Sequence, residues 1–108
     1  MPSIKNKQQI GTTVNVTAGQ TKNSDVVDIE HITRYALEIK LTKVSAVVGN
    51  FNLQASLDEV IWYDIDSSDV SFSDSIDQLY NVTEAYYKFV RVKFVNTSGE
   101  FNVTTNIM

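Results

Sequence analysis

Along much of this chain the hydrophobic residues recur at every second position, which is the period of a β-strand with one face buried and the other exposed. The cleanest example is residues 34–43, where Tyr35, Leu37, Ile39 and Leu41 alternate with polar or small residues. We therefore predict a half-buried antiparallel strand in this segment.

Similar short runs, separated by turn-forming residues, follow one another along the sequence. They lie at residues 12–17, 25–29, 51–56, 60–65, 67–75, 78–82, 86–95 and 100–107. This spacing indicates about eight short strands and no amphipathic helix of useful length. The predicted fold is all-β, an antiparallel β-sandwich of jelly-roll-like form.

The segment 60–65 carries apolar residues on both faces, so its period alone does not say which face is buried. We expect the face of Val60 and Trp62, the only tryptophan, to lie in the core. Aromatic residues in the strands of a small sandwich are mostly core residues. Of the others, Tyr63 and Tyr80 are the more probable surface residues.

The first residues are polar and include two lysines, and they lack the hydrophobic content needed to pack as an element. We predict a flexible N-terminal arm over residues 1–10 and a single β-sandwich domain over residues 11–108, a length that suits one core. A disordered arm can become ordered along a partner. Its candidate partner-binding residues are Ile4, Lys5, Lys7 and Ile10.

The charge is distributed unevenly along the 108 residues, whose formal net charge is −4. Residues 1–57 carry six bases and four acids, and residues 58–108 carry three bases and nine acids. Nucleic-acid binding depends on lysine and arginine that neutralise phosphates, so we expect no nucleic-acid partner.

The sequence has no cysteine, which excludes disulfides and thiolate chemistry. It also shows no secretory signal pattern and no run of about 18 apolar residues, so we expect no membrane association and synthesis as a soluble intracellular protein.

Candidate catalytic and metal-binding residues are few. His31 is the only histidine, and no serine nucleophile motif accompanies it, so we interpret it as a loop residue and the protein as no enzyme. Seven acids lie within residues 58–77, and the pair Asp64 and Asp66 has oxygen ligands of the kind that calcium prefers. Because acids also form turns and keep surfaces soluble, we predict no metal and no cofactor.

Two segments carry a family resemblance. The pattern Ser56-x-Asp58-x-x-x-Trp62, together with the later strand 87–94, resembles the Ser-x-Asp-Gly-x-x-Trp hairpin and the Arg-Tyr-Val-Arg-Val strand of discoidin-type domains. Here Glu59 stands in place of the glycine, and the chain is shorter than a full discoidin domain. The abbreviated pattern with a polar arm also looks like small virion accessory proteins of tailed bacteriophages, of the capsid-decorating type.

The resemblance implies a non-enzymatic structural protein of a phage particle, located in the virion after assembly in the host cytoplasm. We expect a head decoration or auxiliary capsid protein that cements neighbouring subunits of the major capsid protein or contacts other virion proteins, with a homo-oligomer also possible. A discoidin-type carbohydrate-binding module for attachment to a host surface, with a glycan as ligand, is one alternative. A tail or neck component is the other.

Overall fold

The computed structural model describes residues 8–9, 14–30, 32–83 and 85–107, and all regular structure in these residues is β-strand. The eleven strands are β1 (Gln8–Gln9), β2 (Val14–Val16), β3 (Thr21–Asn23), β4 (Val27–Asp28), β5 (Tyr35–Lys43), β6 (Val48–Ser56), β7 (Tyr63–Asp64), β8 (Val70–Phe72), β9 (Ile76–Val82), β10 (Phe89–Ser98) and β11 (Phe101–Ile107). Within these ranges there is accordingly no helix that could span a membrane.

The strands form two antiparallel sheets. In the five-stranded sheet, β1 and β2 both pair with β11, and the order continues through β5 to β9. In the six-stranded sheet, β3 and β4 both pair with β10, β10 pairs with β6, and β6 pairs with β7 and β8. The prediction of an all-β antiparallel sandwich is confirmed.

The jelly-roll connectivity becomes clear when pieces that share a neighbour are counted together. β1 and β2 share β11 as their neighbour, β3 and β4 share β10, and β7 and β8 share β6, so the eleven pieces occupy eight strand positions. Numbered in chain order, these eight are arranged 1-8-3-6 in one sheet and 2-7-4-5 in the other, so the chain crosses between the sheets repeatedly. This is the order of a jelly roll, with the predicted number of strands.

The core lies between the two sheets and is formed by the faces that the alternating pattern predicts. Tyr35, Leu37, Ile39 and Leu41 of β5 are all buried. So are alternate residues of the long strands of the opposite sheet, namely Phe51, Leu53, Ala55, Val90, Val92 and Phe94. The pairing of β6 with β10 aligns Phe51 with Phe94, and one register shift occurs between Asn96 and Ser98.

The turn after β10 depends on a glycine. Gly99 has φ +81°, and an added Cβ would lie 1.9 Å from the carbonyl oxygen of Ala46. Any other residue would therefore clash with the backbone and also adopt a left-handed conformation. Glycine is therefore required at the turn that connects β10 and β11, two inner strands of opposite sheets.

The expectation that Trp62 lies in the core is wrong. Only Tyr63 and Asp64 of the segment 60–65 form a strand, Val60 is 78% exposed, and Trp62 is half-buried outside the core. The residue of this segment that packs against the core is Ile65. The period-2 interpretation failed because a hydrogen-bonded loop, described below, replaces most of the expected strand.

The two tyrosines predicted at the surface differ. Tyr63 is exposed, as expected. Tyr80 packs against the core, where its hydroxyl donates a hydrogen bond to the carbonyl of Ser68 and burial raises its pKa to about 12. Its strand, β9, lies at the end of a sheet with this side chain directed inward, which the sequence pattern did not reveal.

Candidate partner-binding surface

The loop between β6 and β7, residues 57–62, is built on the side chain of Ser56 and is called the tryptophan loop below. The Ser56 hydroxyl donates to the carbonyl of Ile61 (2.6 Å) and accepts from the backbone N–H groups of Asp58 (3.2 Å) and Glu59 (2.9 Å). One buried hydroxyl thereby uses its donor and both acceptor positions. These hydrogen bonds attach the loop to Ser56, the last residue of β6.

Asp58 completes the turn. Its Oδ1 accepts hydrogen bonds from the N–H groups of Val60 (2.9 Å) and Ile61 (3.0 Å), and these two donors hold the pKa of Asp58 below its usual value. Glu59 has φ 64°, the left-handed conformation that favours glycine. The glutamate therefore occupies the position at which the resembled hairpin has glycine, and it keeps the turn geometry at a conformational cost.

Beside the loop, the outer face of the six-stranded sheet carries a polar network. Oδ1 of Asp64 accepts from the side-chain amides of Asn52 and Gln54, both at 2.9 Å. Gln54 in turn accepts from Nε of Arg91 (2.8 Å), whose guanidinium lies 4.1 Å from the centre of the Trp62 ring system. This cation–π contact holds Trp62 over the sheet.

The network also affects charge. The amides of Gln54 and Asn52, and more weakly the charge of Lys93, hold the pKa of Asp64 below its usual value. Asp64 is ionised at neutral pH, as an unperturbed aspartate is, and its negative charge lies on the same face as the positive charges of Arg91 and Lys93. The hydrogen bonds from Asp64 through Gln54 to Arg91 fix the guanidinium, and the guanidinium fixes the orientation of Trp62.

Apolar side chains project from this end of the molecule. Leu57, Val60 and Ile61 of the tryptophan loop are exposed. Tyr86, in the connection from β9 to β10, is 79% exposed, and Lys88 N–H of the same connection bonds to the carbonyl of Ser56. The two connections thus leave the sheet side by side. Together Leu57, Val60, Ile61, Tyr63 and Tyr86 form what we call the apolar tip.

The acids of residues 58–77 do not converge on one site. Asp58 caps its own loop, Asp64 binds the amides of β6, Asp69 accepts from Asn50 (3.0 Å) and Asp74 pairs with Lys43 (3.1 Å). Over the described residues no group of three or more histidine, cysteine, aspartate or glutamate side chains could hold a metal ion. Among the described residues, the pair Asp64 and Asp66 therefore has no third side chain of these types with which to hold a metal ion.

An open depression of about 420 Å³ lies at the opposite end of β6. Its lining carries hydroxyl, amide and apolar groups and no ionisable side chain: Val48, Gly49, Asn50, Ser71, Phe72, Ser73 and Thr97. Acid–base chemistry needs a titratable group within hydrogen-bonding reach of the substrate, and this lining supplies none.

The residues predicted as partner-binding, Ile4, Lys5, Lys7 and Ile10, lie outside the described residues, as does His31. Of the predicted arm, Gln8 and Gln9 are described, and they pair with Ile107 and Asn106 of β11. The apolar tip was not predicted as a surface. The available signal was the apolar run Val60-Ile61-Trp62-Tyr63 directly after an Asp-Glu turn, which fits a projecting loop as well as a strand.

The protein is thus a jelly-roll β-sandwich with an apolar tip at one end. No protein-family model matches its sequence, and no curated protein matches it either. The fold is similar to that of the PBSX exported protein XepA, with a TM-score of 0.68 and 11% identity over 95% of this chain. The match covers 37% of XepA, so the chain spans little more than a third of that protein.

Two further structures match over nearly the whole of both chains. The SPBc2 prophage-derived protein YomS has a TM-score of 0.58 and 14% identity, with 99% of this chain and 98% of YomS covered. The Yersinia pseudotuberculosis-derived mitogen has a TM-score of 0.60 and 16% identity, with 97% of this chain and 86% of the mitogen covered. At these identities the likeness is one of fold.

Proposed function

We propose that this protein is a non-enzymatic structural accessory protein of a phage particle, a head decoration protein that cements neighbouring capsid subunits. The observation that carries the proposal is the match in fold to YomS, a prophage-derived protein of nearly the same extent. Fold alone does not fix function, so the surface must supply the mechanism.

The apolar tip is the proposed docking surface for the capsid. Its side chains are exposed, yet Ser56 and Asp58 hold the tryptophan loop in one conformation. A rigid apolar loop loses little entropy on docking, which favours binding. Interfaces are enriched in aromatic residues at their centres, and Tyr63 and Tyr86 supply them here.

The part of the arm that precedes β1, residues 1–7, is the proposed second contact. It would lie along a neighbouring subunit, with Ile4 in an apolar depression and Lys5 and Lys7 opposite acidic groups. Each contact can be weak, because a repetitive shell presents many copies of the site and a two-part contact gains from effective concentration.

Co-sedimentation with purified empty capsids tests the proposal. We expect the wild-type protein to sediment with the capsids, and Val60→Lys in the apolar tip to reduce the bound fraction at least about tenfold, since a lysine at a buried apolar contact must be desolvated. Val44→Lys is the matched control, because Val44 is also an exposed valine but lies beyond the opposite end of β6. Equal loss in both variants, or no sedimentation of the wild type, would refute the tip as the docking surface.

Removal of residues 1–7 tests the arm and leaves the strand Gln8–Gln9 in place. We expect an unchanged melting temperature and weaker capsid binding. Electron microscopy of purified particles locates the protein: density on the head supports decoration, density on the tail or neck replaces it with that alternative, and absence from particles rejects every virion role.

A carbohydrate-binding function is the second candidate, favoured by the half-exposed Trp62 beside the amides, carboxylate and guanidinium of the polar network. Aromatic rings next to polar groups can stack on sugars. A glycan array would show a specific ligand whose binding is lost in Trp62→Ala. Failure of all glycans to bind would leave the structural role alone.

A further inference from the structure

The four edges of the two sheets are not equally protected. An edge strand offers unpaired backbone N–H and C=O groups, and proteins usually prevent its pairing with other chains by shortening it, interrupting it or charging it. Two edges are interrupted between described residues, β3 with β4 and β7 with β8, and none of these pieces is longer than three residues. At a third edge the described pieces, β1 and β2, are two and three residues long. Such short pieces limit pairing with another chain.

The fourth edge is β9, and it is continuous. Its seven residues pair with β5 without any register shift, from Ile76 opposite Leu41 to Val82 opposite Tyr35. Among the described residues no strand pairs with the other side of β9. The strand contains no proline, lysine or arginine, and Asp77 is its only charged residue. Asp77 is therefore the only one of the usual protective features that this strand has.

The sequence of β9, Ile-Asp-Gln-Leu-Tyr-Asn-Val, is symmetric in residue character about its centre except at Gln78 and Tyr80. Leu79 is the middle residue, and it is 50% exposed on the outer face of the sheet. Aliphatic residues stand at both ends, Ile76 and Val82, and polar residues stand next to them, Asp77 and Asn81. In an antiparallel pair of two copies, this symmetry places residues of similar character opposite each other.

We propose that β9 is a dimer interface, in which two copies of the chain pair antiparallel through β9 about a two-fold axis at Leu79. In this register Leu79 faces Leu79 of the second copy, Asp77 faces Asn81, and Ile76 faces Val82. Outward residues meet outward residues and inward residues meet inward residues, as an antiparallel pair requires. The two five-stranded sheets then form one continuous sheet.

Charge favours this register over one shifted towards Asp77. With the axis at Leu79, each Asp77 lies opposite an asparagine, whose side-chain amide can donate to the carboxylate. A shift by two residues that brings the axis to Asp77 would place the two carboxylates directly opposite each other, and like charges in that position are destabilising. The centred register also uses all seven residues of the strand, whereas a shifted register leaves the ends unpaired.

The pairing does not depend on the proposed function, because a sheet edge can dimerise whether or not the protein joins a particle. It would place the two apolar tips at defined positions related by the two-fold axis. In a two-fold interface the same patch serves both copies, so a single substitution changes both halves of the contact.

Sedimentation-velocity ultracentrifugation over a range of concentrations tests the interface. We expect a reversible monomer–dimer equilibrium for the wild type and a dissociation constant at least about 100-fold higher for Leu79→Lys, which sets two like charges opposite each other at the axis. The matched control is Val48→Lys in β6, because Val48 has nearly the same exposure, 51%. It should dimerise as the wild type does. A wild type that stays monomeric, or a dimer that Leu79→Lys leaves intact, overturns the proposal.

Cysteine cross-linking tests the register, and the absence of native cysteine makes it specific. With a short bis-maleimide, Leu79→Cys should give covalent dimers on its own. Asn81→Cys should cross-link efficiently only with a chain that carries Asp77→Cys. Cross-linking of Asp77→Cys with itself in preference to Leu79→Cys would reject the centred register, and dimers that no β9 cysteine captures would assign the interface to another surface.

Discussion

The protein has two groups of aromatic residues, and they are held in different ways. Inside the sandwich, neighbouring ring centres lie 5.1–6.4 Å apart, and the rings belong to Phe51, Phe72, Tyr80, Phe94 and Phe101. At the apolar tip Tyr63 and Tyr86 are exposed, and beside them Trp62 of the tryptophan loop is held over Arg91. The core group is held by packing, whereas the tryptophan loop is held by hydrogen bonds from its backbone to the side chains of Ser56 and Asp58.

The first test of this difference is Phe51→Ala. Phe51 is completely buried and contacts the rings of Phe72, Tyr80 and Phe94, so its removal leaves a cavity between the sheets. We expect a loss of about 3–5 kcal/mol in the free energy of unfolding, measured by urea denaturation.

Tyr63→Ala is the control from the tip. Tyr63 is an exposed aromatic residue and should change the free energy of unfolding by no more than about 0.5 kcal/mol. Similar losses in the two variants would mean that the tip contributes to the core.

Ser56→Ala tests whether hydrogen bonds hold the tryptophan loop. The substitution removes one donor and one acceptor atom that serves two backbone N–H groups, at a residue that is almost fully buried. We expect a loss of about 1–3 kcal/mol in the free energy of unfolding, since three hydrogen bonds between Ser56 and the loop backbone are lost.

A local effect should accompany this loss. Amide hydrogen exchange should accelerate at Asp58 and Glu59, whose N–H groups donate to Ser56. It should not accelerate at Val92, in the middle of the neighbouring strand β10. Uniform acceleration over the whole chain would show that Ser56 supports the sandwich as a whole and not the loop.

The fold was predictable because alternation reports burial directly. In β5 and β10 every second residue faces the core, and these strands are long enough to show the pattern. The interruptions of the edge strands were not visible, because two or three residues give no period. The conformation of segment 60–65 was not visible either. It depends on hydrogen bonds of the Ser56 and Asp58 side chains to the backbone of Ile61, which the hydrophobic pattern does not report.

The candidate site was predictable only in part. The Ser-x-Asp pattern indicated a tight turn, and Ser56 and Asp58 form it. The position of Trp62 depends on Arg91, which lies 29 residues further along and contacts it only after β6 and β10 have paired. Sequence alone does not reveal such a contact.

Trp62→Ala separates a core anchor from a surface residue. An exposed cation–π contact is worth about 0.5–1 kcal/mol, so we expect a loss of roughly 1 kcal/mol in the free energy of unfolding. Arg91→Lys should lose part of the same contribution, and the double variant should lose less than the sum, because both substitutions remove one contact. A loss of 3 kcal/mol or more for Trp62→Ala would place the indole in the core after all.

One substitution is expected to raise the stability. Glu59 has φ 64°, and a non-glycine residue in this left-handed region costs about 1–2 kcal/mol. Glycine removes this cost, but the greater freedom of glycine in the unfolded chain offsets part of the gain. We expect Glu59→Gly to raise the free energy of unfolding by about 0.5–1 kcal/mol. Gly19→Ala is the reciprocal control: Gly19 has φ +78° with no atom within 4 Å of an added Cβ, so alanine there meets the conformational cost without a clash. Calorimetric melting temperatures should therefore rise for Glu59→Gly and fall for Gly19→Ala, and a fall in both would show that the glutamate side chain stabilises the turn.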